Sequence, residues 1–203
     1  TYGADGTKLR TVHKIGSTTT TTDYCGNVIY ENGTQKLLLT EEGYINLAGT
    51  QQYHYYQKDH QGNNRVVINR SGTMEETNHY YPFGGVFATA GNAQPYKYNG
   101  KEFDTKKGLN WYDYGARHYD TALGRFMTND RFAEKYYSMS PYQYGANSPV
   151  VNIDVNGDSI RICTETQSFG HTWISVGEGS NMTVYSYRRY NGTNKGQIEA
   201  LIL

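Results

Sequence analysis

The sequence predicts an all-β fold, a meander of antiparallel hairpins, and two observations carry that prediction. The first is composition: 21 of the 203 residues are tyrosine and 23 are glycine. Tyrosine packs its ring on a sheet and leaves its hydroxyl at a wet edge. The second is the recurrence of turn signals such as Asn32-Gly33 between short β-branched and aromatic runs, because Asn-Gly adopts positive φ at low steric cost. No long stretch repeats apolar residues at the helical period.

The hairpins of residues 1–126 share one pattern. Each has a strand that begins with tyrosine, a glycine turn with an acidic or amide neighbour, and a basic or aliphatic strand; examples are DYCGNVIYENGTQKLLLTEEGYI and HYYQKDHQGNNRVVINRSGTMEETNHYYPFG. One such unit cannot bury its own face. We therefore expect neighbouring units to extend a common sheet.

A set of ordered motifs then indicates a family. YYQKDHQGNNRVV (55–67) is followed by YYPFG (80–84), and residues 98–158 contain, in order, YNGKE, YDYGARHYD, LGRF, SPYQYGANSP and IDVNGD. This series resembles the YD-repeat, or Rhs-repeat, proteins of bacteria, in the variant found in Bacteroidetes. The resemblance covers residues 1–158, and residues 159–203 lie outside it.

The resemblance implies an architecture and a role. In that family the repeats form a β-ribbon that spirals into a hollow shell, a core domain seals it, and a variable C-terminal domain, often a toxin, is held inside. It divides this chain into repeat hairpins (1–97), an Rhs repeat-associated core (98–158) and the start of an effector-like domain (159–203), which we expect to be incomplete. The implied partners are the chain's own effector domain and N-terminal repeats, an immunity protein and secretion machinery. The implied location is secreted or at the cell surface.

The resemblance also implies self-cleavage after the core by aspartic-protease-like chemistry. Asp130 lies where the family has its first aspartate, Asp154 lies in the terminal motif, and the match puts the cut at the Asp158–Ser159 bond. Two carboxylates that share a proton can act as acid and base on a peptide carbonyl, because their charges push the two pKa values apart.

The chain departs from the family pattern at this site. Arg131 and Val155 stand where the family has proline, and Asp158 stands where it has leucine or methionine. The partner aspartate is expected between Arg131 and Ile153, where the only carboxylate is Glu134. The alternative interpretation is that both candidate aspartates cap turns by accepting backbone N–H groups.

A second candidate lies beyond the core. His171 opens the alternating run HTWISV, which looks like the start of a circularly permuted papain-like fold with His171 as the base. That chemistry requires a cysteine nucleophile, but Cys163 precedes the histidine and no cysteine follows it. A papain-like hydrolase beginning near residue 160 is an alternative function, and it requires a cysteine beyond Leu203 within reach of His171. The other interpretation makes His171 a hydrogen-bonding residue at a strand end.

Composition and spacing argue against several other classes. The 19 basic and 19 acidic residues balance, which disfavours nucleic acid or an anionic membrane as a partner. No apolar run approaches the ~18 residues that span a bilayer. The histidines lack metal-ligand spacing and no glycine-rich phosphate loop is present, so we expect no metal and no cofactor. A remaining alternative is a cell-surface adhesion or carbohydrate-binding protein that uses exposed tyrosines; the simpler interpretation is that the tyrosines face inward.

Overall fold

The computed structural model describes residues 1–4 and 6–158, together with the backbone of residues 160–162, 171–176, 183–188 and 197–202. It confirms the predicted fold class. Neighbouring strands pair antiparallel, and the helical segments of the described residues are three-residue 3-10 turns: Tyr98–Gly100, Lys106–Gly108, Ala133–Lys135 and Gly145–Asn147. The chain divides into two compact units, Thr1–Gly115 and Ala116–Leu203. The boundaries predicted at 97/98 and 158/159 stay predictions.

Nine consecutive strands form one sheet in the first unit, and each pairs antiparallel with the next in chain order. They are β1 (Arg10–Ile15), β2 (Thr18–Cys25), β3 (Val28–Glu31), β4 (Thr34–Thr40), β5 (Gly43–Asn46), β6 (Gln52–Lys58), β7 (Asn64–Asn69), β8 (Met74–Tyr80) and β9 (Val86–Ala90). Two short strands follow and pair with each other: β10 (Glu102–Asp104) and β11 (Trp111–Asp113). The sheet is therefore the meander that the hairpin pattern predicts.

The hairpin turns have the chemistry that the sequence indicates. Between β3 and β4, Asn32 has φ 51° and Gly33 has φ 80°. Positive φ at both central residues defines the turn whose twist matches that of the flanking strands. In the repeat signature after β6, Asp59 accepts backbone N–H groups from Gln61 and Asn63. The same carboxylate accepts a bond from Arg65 Nε at 2.8 Å, so the aspartate of this motif holds its own turn together.

Tyrosine supplies much of the core of the first unit. Tyr44 joins Ile29, Leu37 and Val67 in one buried cluster, and its ring stacks on His54 with centroids 4.3 Å apart. Four further tyrosines of this unit are buried: Tyr80, Tyr98, Tyr112 and Tyr114. The expectation of inward-facing tyrosines is confirmed for these positions, whereas Tyr53, Tyr55 and Tyr81 are exposed.

One ion pair is deeply buried in the first unit. Lys97 Nζ lies 2.5 Å from Glu76 Oε1 on β8, and the Glu76 side chain is 0% exposed. Glu76 also accepts bonds from Asn78 Nδ2, from the backbone N–H of Ala93, and from both the backbone and side-chain nitrogens of Gln94. Burial lowers the pKa of Lys97, against the effect of Glu76, which raises it. One carboxylate thus meets one cation and a full set of donors.

The second unit is built from short antiparallel pieces. Its strands are β12 (His118–Asp120), β13 (Arg125–Phe126), β14 (Asn152–Asp154), β15 (Ile160–Ile162), β16 (His171–Val176), β17 (Thr183–Arg188) and β18 (Gln197–Ile202). β12 pairs with β13, β14 pairs with β15, and β16 to β18 form a three-stranded sheet. Because Asp154 pairs with Ile160, residues 155–158 lie in the connection between β14 and β15.

Three aromatic side chains form the centre of the second unit. Tyr119, Phe126 and Tyr144 are each almost fully buried. The Tyr119 ring centroid lies 4.4 Å from that of Tyr144 and 5.5 Å from that of Phe126. Buried aromatic pairs at these distances contribute to the packing energy beyond their buried area.

Candidate active site

A buried arginine organises the polar part of the second unit. Arg117 directly precedes β12, and its side chain is only 2% exposed. Its Nε donates to the Gly157 carbonyl, its Nη1 donates to the Pro141 carbonyl at 3.0 Å, and its Nη2 donates to Asp130 Oδ2 at 2.8 Å. The guanidinium also lies over the Phe126 ring, 3.8 Å from the centroid. The plane of this arginine is therefore fixed on its edges and on one face.

Asp130 and Asp154 approach the same nitrogen of this arginine. Asp154 Oδ2 lies 3.8 Å from Arg117 Nη2, compared with 2.8 Å for Asp130 Oδ2. Each carboxylate uses its other oxygen to accept a backbone N–H: Asp130 Oδ1 from Phe132 at 2.8 Å, and Asp154 Oδ1 from Gly157 at 2.6 Å. The turn-capping interpretation is thus confirmed for both residues, yet each keeps one oxygen directed at the shared guanidinium.

The two carboxylates have different environments. Burial raises the pKa of Asp154 to about 6, and the charge of Asp130 acts in the same direction, whereas the Gly157 N–H and Arg117 oppose the shift. Asp130 has the closer contact with the guanidinium. The Asp154 carboxyl can therefore hold a proton close to pH 6.

A third aspartate lies at the same place. Asp158 is 3% exposed, its N–H donates to Asn156 Oδ1 at 3.2 Å, and its Oδ2 lies 2.5 Å from Arg131 Nη2. The charge of Asp158 also acts on Arg117. We call Arg117, Asp130, Arg131, Asp154 and Asp158 the core cluster. When all five are ionised, this set carries one more negative than positive charge.

The structure thus brings together three of the predicted positions and leaves others aside. Asp130, Asp154 and Asp158 meet, whereas Glu134 is exposed within the Ala133–Lys135 turn. The backbone of His171 begins β16 as the alternating pattern suggests, but its side chain lies outside the described residues. Ser159 and Cys163 lie outside them as well.

Sequence reasoning missed the central residue, Arg117. It stands in YDYGARHYD, which indicates the family as one of several ordered motifs and not through any single residue. The sequence did contain one signal for it, which is an arginine within a run of residues otherwise suited to burial. A buried arginine requires carboxylate or carbonyl partners, so its presence there predicts such partners nearby. The two backbone carbonyls that it binds, at Pro141 and Gly157, leave no mark in the sequence.

Among side chains that the structure describes, no group of three or more His, Cys, Asp or Glu is arranged to hold a metal ion. In the same part of the chain, no helix is long and apolar enough to cross a membrane.

Comparison with known proteins gives one sequence relative and several structural ones. No family model matches the chain. Salivary gland surface protein 1 of Aedes aegypti is 36% identical over 119 residues, which is 57% of this chain and 3% of that protein. The crystal structure of TcdB2-TccC3 without its hypervariable C-terminal region matches with TM-score 0.64 and 20% identity over 77% of this chain. The Photorhabdus luminescens Tc holotoxin pore with a TccC3 mutation matches with TM-score 0.66 and 19% identity over 82%.

These matches define the class of fold. At 19–20% identity they show that most of this chain shares an antiparallel β architecture with Tc toxin proteins, which supports the Rhs-like fold expected from the motifs. The chain spans about 9% of each of those structures and about 3% of the mosquito relative. The Bacteroidetes variant and the core assignment at 98–158 stay predictions.

Proposed function

We propose that this chain is a shell-and-core segment of an Rhs-type toxin, which encloses a C-terminal effector and cuts itself once after Asp158. One observation carries the proposal of chemistry. Two buried carboxylates, Asp130 and Asp154, share the guanidinium of Arg117. Asp154 Oδ1 and Arg117 Nε hold the N–H and the carbonyl of Gly157, one residue before Asp158.

The role as a shell is supported by the sheet and by its relatives. A ribbon of nine consecutive strands presents long edges, and a sheet of this kind must hide them. Winding the ribbon into a shell does so, and the Tc structures share the fold over 77–82% of this chain. One of them is described as lacking a hypervariable C-terminal region; by analogy, residues 159–203 begin the enclosed effector. Secretion, the delivery machinery and an immunity partner stay predictions from the resemblance.

The proposed cut is a hydrolysis that uses both carboxylates. Asp130, ionised beside Arg117, takes a proton from a water molecule as its oxygen bonds to the carbonyl carbon of Asp158. Protonated Asp154 gives its proton to the carbonyl oxygen, so that a neutral tetrahedral intermediate forms. The C–N bond then breaks: Asp130 returns its proton to the departing amine of Ser159, and Asp154 recovers a proton from the intermediate's hydroxyl. One water is consumed, and a new carboxyl and a new amino terminus result.

Intact mass spectrometry of the purified 203-residue chain tests this proposal. We expect a cut between residues 158 and 159 in the wild type and none in Asp154→Asn or Asp130→Asn, because each variant removes one member of the acid–base pair. Cleavage should also slow as the pH rises above about 6, where Asp154 loses its proton.

Glu134→Gln is the matched control, since it removes an exposed carboxylate of the same unit and should leave cleavage unchanged. A wild-type chain that stays at its full mass from pH 5 to pH 7 would contradict the self-cleavage.

A further inference from the structure

Two residues that depart from the family pattern contact each other. Arg131 stands where that pattern has proline, and Asp158 stands where it has leucine or methionine. In the folded chain Arg131 Nη2 lies 2.5 Å from Asp158 Oδ2. A cation has thus appeared where the pattern carries no side-chain charge, and its contact is the carboxylate that replaces an apolar side chain.

The two members of this pair are unequally buried. The Asp158 side chain is 2% exposed and the Arg131 side chain is 65% exposed. An ionised carboxylate withdrawn from water to this extent is costly unless a cation meets it. Arg131 reaches it from the surface, with its guanidinium 4.9 Å from the centroid of the Phe132 ring. Loss of Arg131 would leave Asp158 with a buried charge, whereas loss of Asp158 would leave a largely hydrated arginine.

The position of Arg131 connects this pair to the proposed chemistry. Arg131 directly follows Asp130, and Asp130 Oδ1 fixes the turn by accepting the N–H of Phe132. The turn that presents Asp130 to Arg117 therefore also presents the cation that contacts Asp158. On the same side of the cut, one residue before Asp158, Gly157 donates its N–H to Asp154 Oδ1 and accepts from Arg117 Nε at its carbonyl. Residues 157 and 158 are thus fixed both by backbone bonds and by a side-chain ion pair.

We propose that Arg131 is a positioning residue that selects a carboxylate immediately before the cut, in place of an apolar side chain. This inference rests on the proposed self-cleavage. The ion pair sets the orientation of residue 158, and with it the carbonyl that the water molecule activated by the carboxylate pair attacks. Because reacting groups must be held within a fraction of an ångström, a loosened residue 158 should slow the reaction strongly.

Four chains compared in one cleavage assay test the proposal: wild type, Arg131→Ala, Arg131→Lys and the double variant Arg131→Ala/Asp158→Leu. Each is purified unfolded and diluted into buffer near pH 6, and the fraction cut after residue 158 is followed by intact mass. We expect Arg131→Ala to be slower than wild type by about 10-fold to 100-fold. Arg131→Lys keeps the charge and should recover most of the rate. The double variant replaces the ion pair by an apolar residue 158, which can be held by packing at the same buried position, and should also recover.

The unfolding midpoint of each chain separates positioning from folding. A slow Arg131→Ala with a midpoint close to wild type, rescued by lysine, supports the proposal. Should Arg131→Ala not fold, the cleavage rates of Arg131→Lys and of the double variant are compared with that of wild type instead. A double variant that folds but does not cut overturns the proposed pairing of Arg131 with Asp158. Cleavage of Arg131→Ala at the wild-type rate overturns the role of Arg131 while leaving self-cleavage intact. An uncut wild type means that the proposed function itself has failed.

Discussion

The two units each bury a group of charges, and the groups differ in balance. In the first unit, Glu76 meets one cation, Lys97, and five hydrogen-bond donors in all occupy its two oxygens. In the second unit, the core cluster sets three carboxylates against two guanidinium groups. Burial raises the pKa of Asp154 to about 6, so one member of the core cluster gains a proton close to neutral pH.

The difference indicates what each group of charges is for. A carboxylate that is saturated by donors and matched by one cation contributes a single fixed arrangement, because any other protonation state breaks several bonds. A cluster with a surplus carboxylate has two accessible protonation states, which general acid–base chemistry requires. We therefore interpret the Glu76–Lys97 pair as structural and the core cluster as the candidate site for acid–base chemistry. Three substitutions test that comparison.

The largest effect is expected for Glu76→Leu. The change leaves Lys97 buried without its counter-ion, and it removes one of the acceptors of Asn78 Nδ2 and the acceptor of the Ala93 N–H. Breaking a buried ion pair from one side costs about 3 to 5 kcal/mol, and urea denaturation of the whole chain measures this loss. The double variant Glu76→Leu/Lys97→Met should recover part of it, because no buried charge is left.

Glu42→Gln serves as the matched control for this loss. Glu42 is exposed in the turn between β4 and β5, so its substitution should change the free energy of unfolding by no more than about 0.5 kcal/mol. If Glu76→Leu costs as little as Glu42→Gln, the Glu76 pair has no structural role.

A pH-dependent effect of intermediate size is expected for Asp154→Asn. The pKa of Asp154 rises from its usual 3.8 to about 6 on folding, so the folded state binds this proton more tightly. The resulting stabilisation is present below pH 4 and is lost as the pH rises through 6. It corresponds to about 3 kcal/mol. The difference in unfolding free energy between intact wild type and Asp154→Asn should change by about that amount between pH 4 and pH 7.

Subtracting the pH profile of a variant from that of wild type cancels the contribution of the titrating groups that the two chains share. Glu134→Gln, at an exposed carboxylate of the same unit, should run parallel to wild type across the same range. Parallel curves for wild type and Asp154→Asn as well would mean that Asp154 does not carry the surplus proton of the core cluster.

The smallest effect is expected for Lys36→Ala, in the hairpin of β3 and β4. Lys36 Nζ lies 2.6 Å from Glu31 Oε1, but the two side chains are 44% and 35% exposed. An ion pair in contact with water contributes about 0.2 to 1 kcal/mol and is weakened by salt. Urea denaturation of wild type and Lys36→Ala in low salt measures the size of the contribution, and the same comparison in high salt measures its weakening. A loss as large as that of Glu76→Leu would show that the distance within an ion pair, and not its burial, determines how much the pair contributes to the free energy of unfolding.

Much of the fold could be predicted from particular residues. Asn32-Gly33 specifies a two-residue hairpin turn by its own backbone preference, and the structure has positive φ at both positions. The tyrosines predicted to face inward do so at Tyr44, Tyr98 and Tyr112, because a chain poor in leucine and isoleucine must fill its core with them. The first prediction succeeds because it depends on local conformation, and the second because it depends on composition.

The site could be predicted only in part. The motif order located Asp130 and Asp154, but it offered no reason for either to be buried, and it left Arg117 unnoticed. Arg131 and Asp158, which looked like two separate departures from the pattern, form one ion pair. They lie 27 residues apart in the sequence, and neither residue restricts the other until the chain has folded.

The sequence by itself determined the strands, the hairpin turns and the tyrosine core, since the strands and turns follow from a few adjacent residues and the core follows from composition. Only the tertiary structure decided which charges meet, how deeply each is buried and therefore where a proton is held. Those properties depend on distance and on exclusion of water. In this chain both are set by the packing of Arg117 and its partners on the aromatic centre of the second unit.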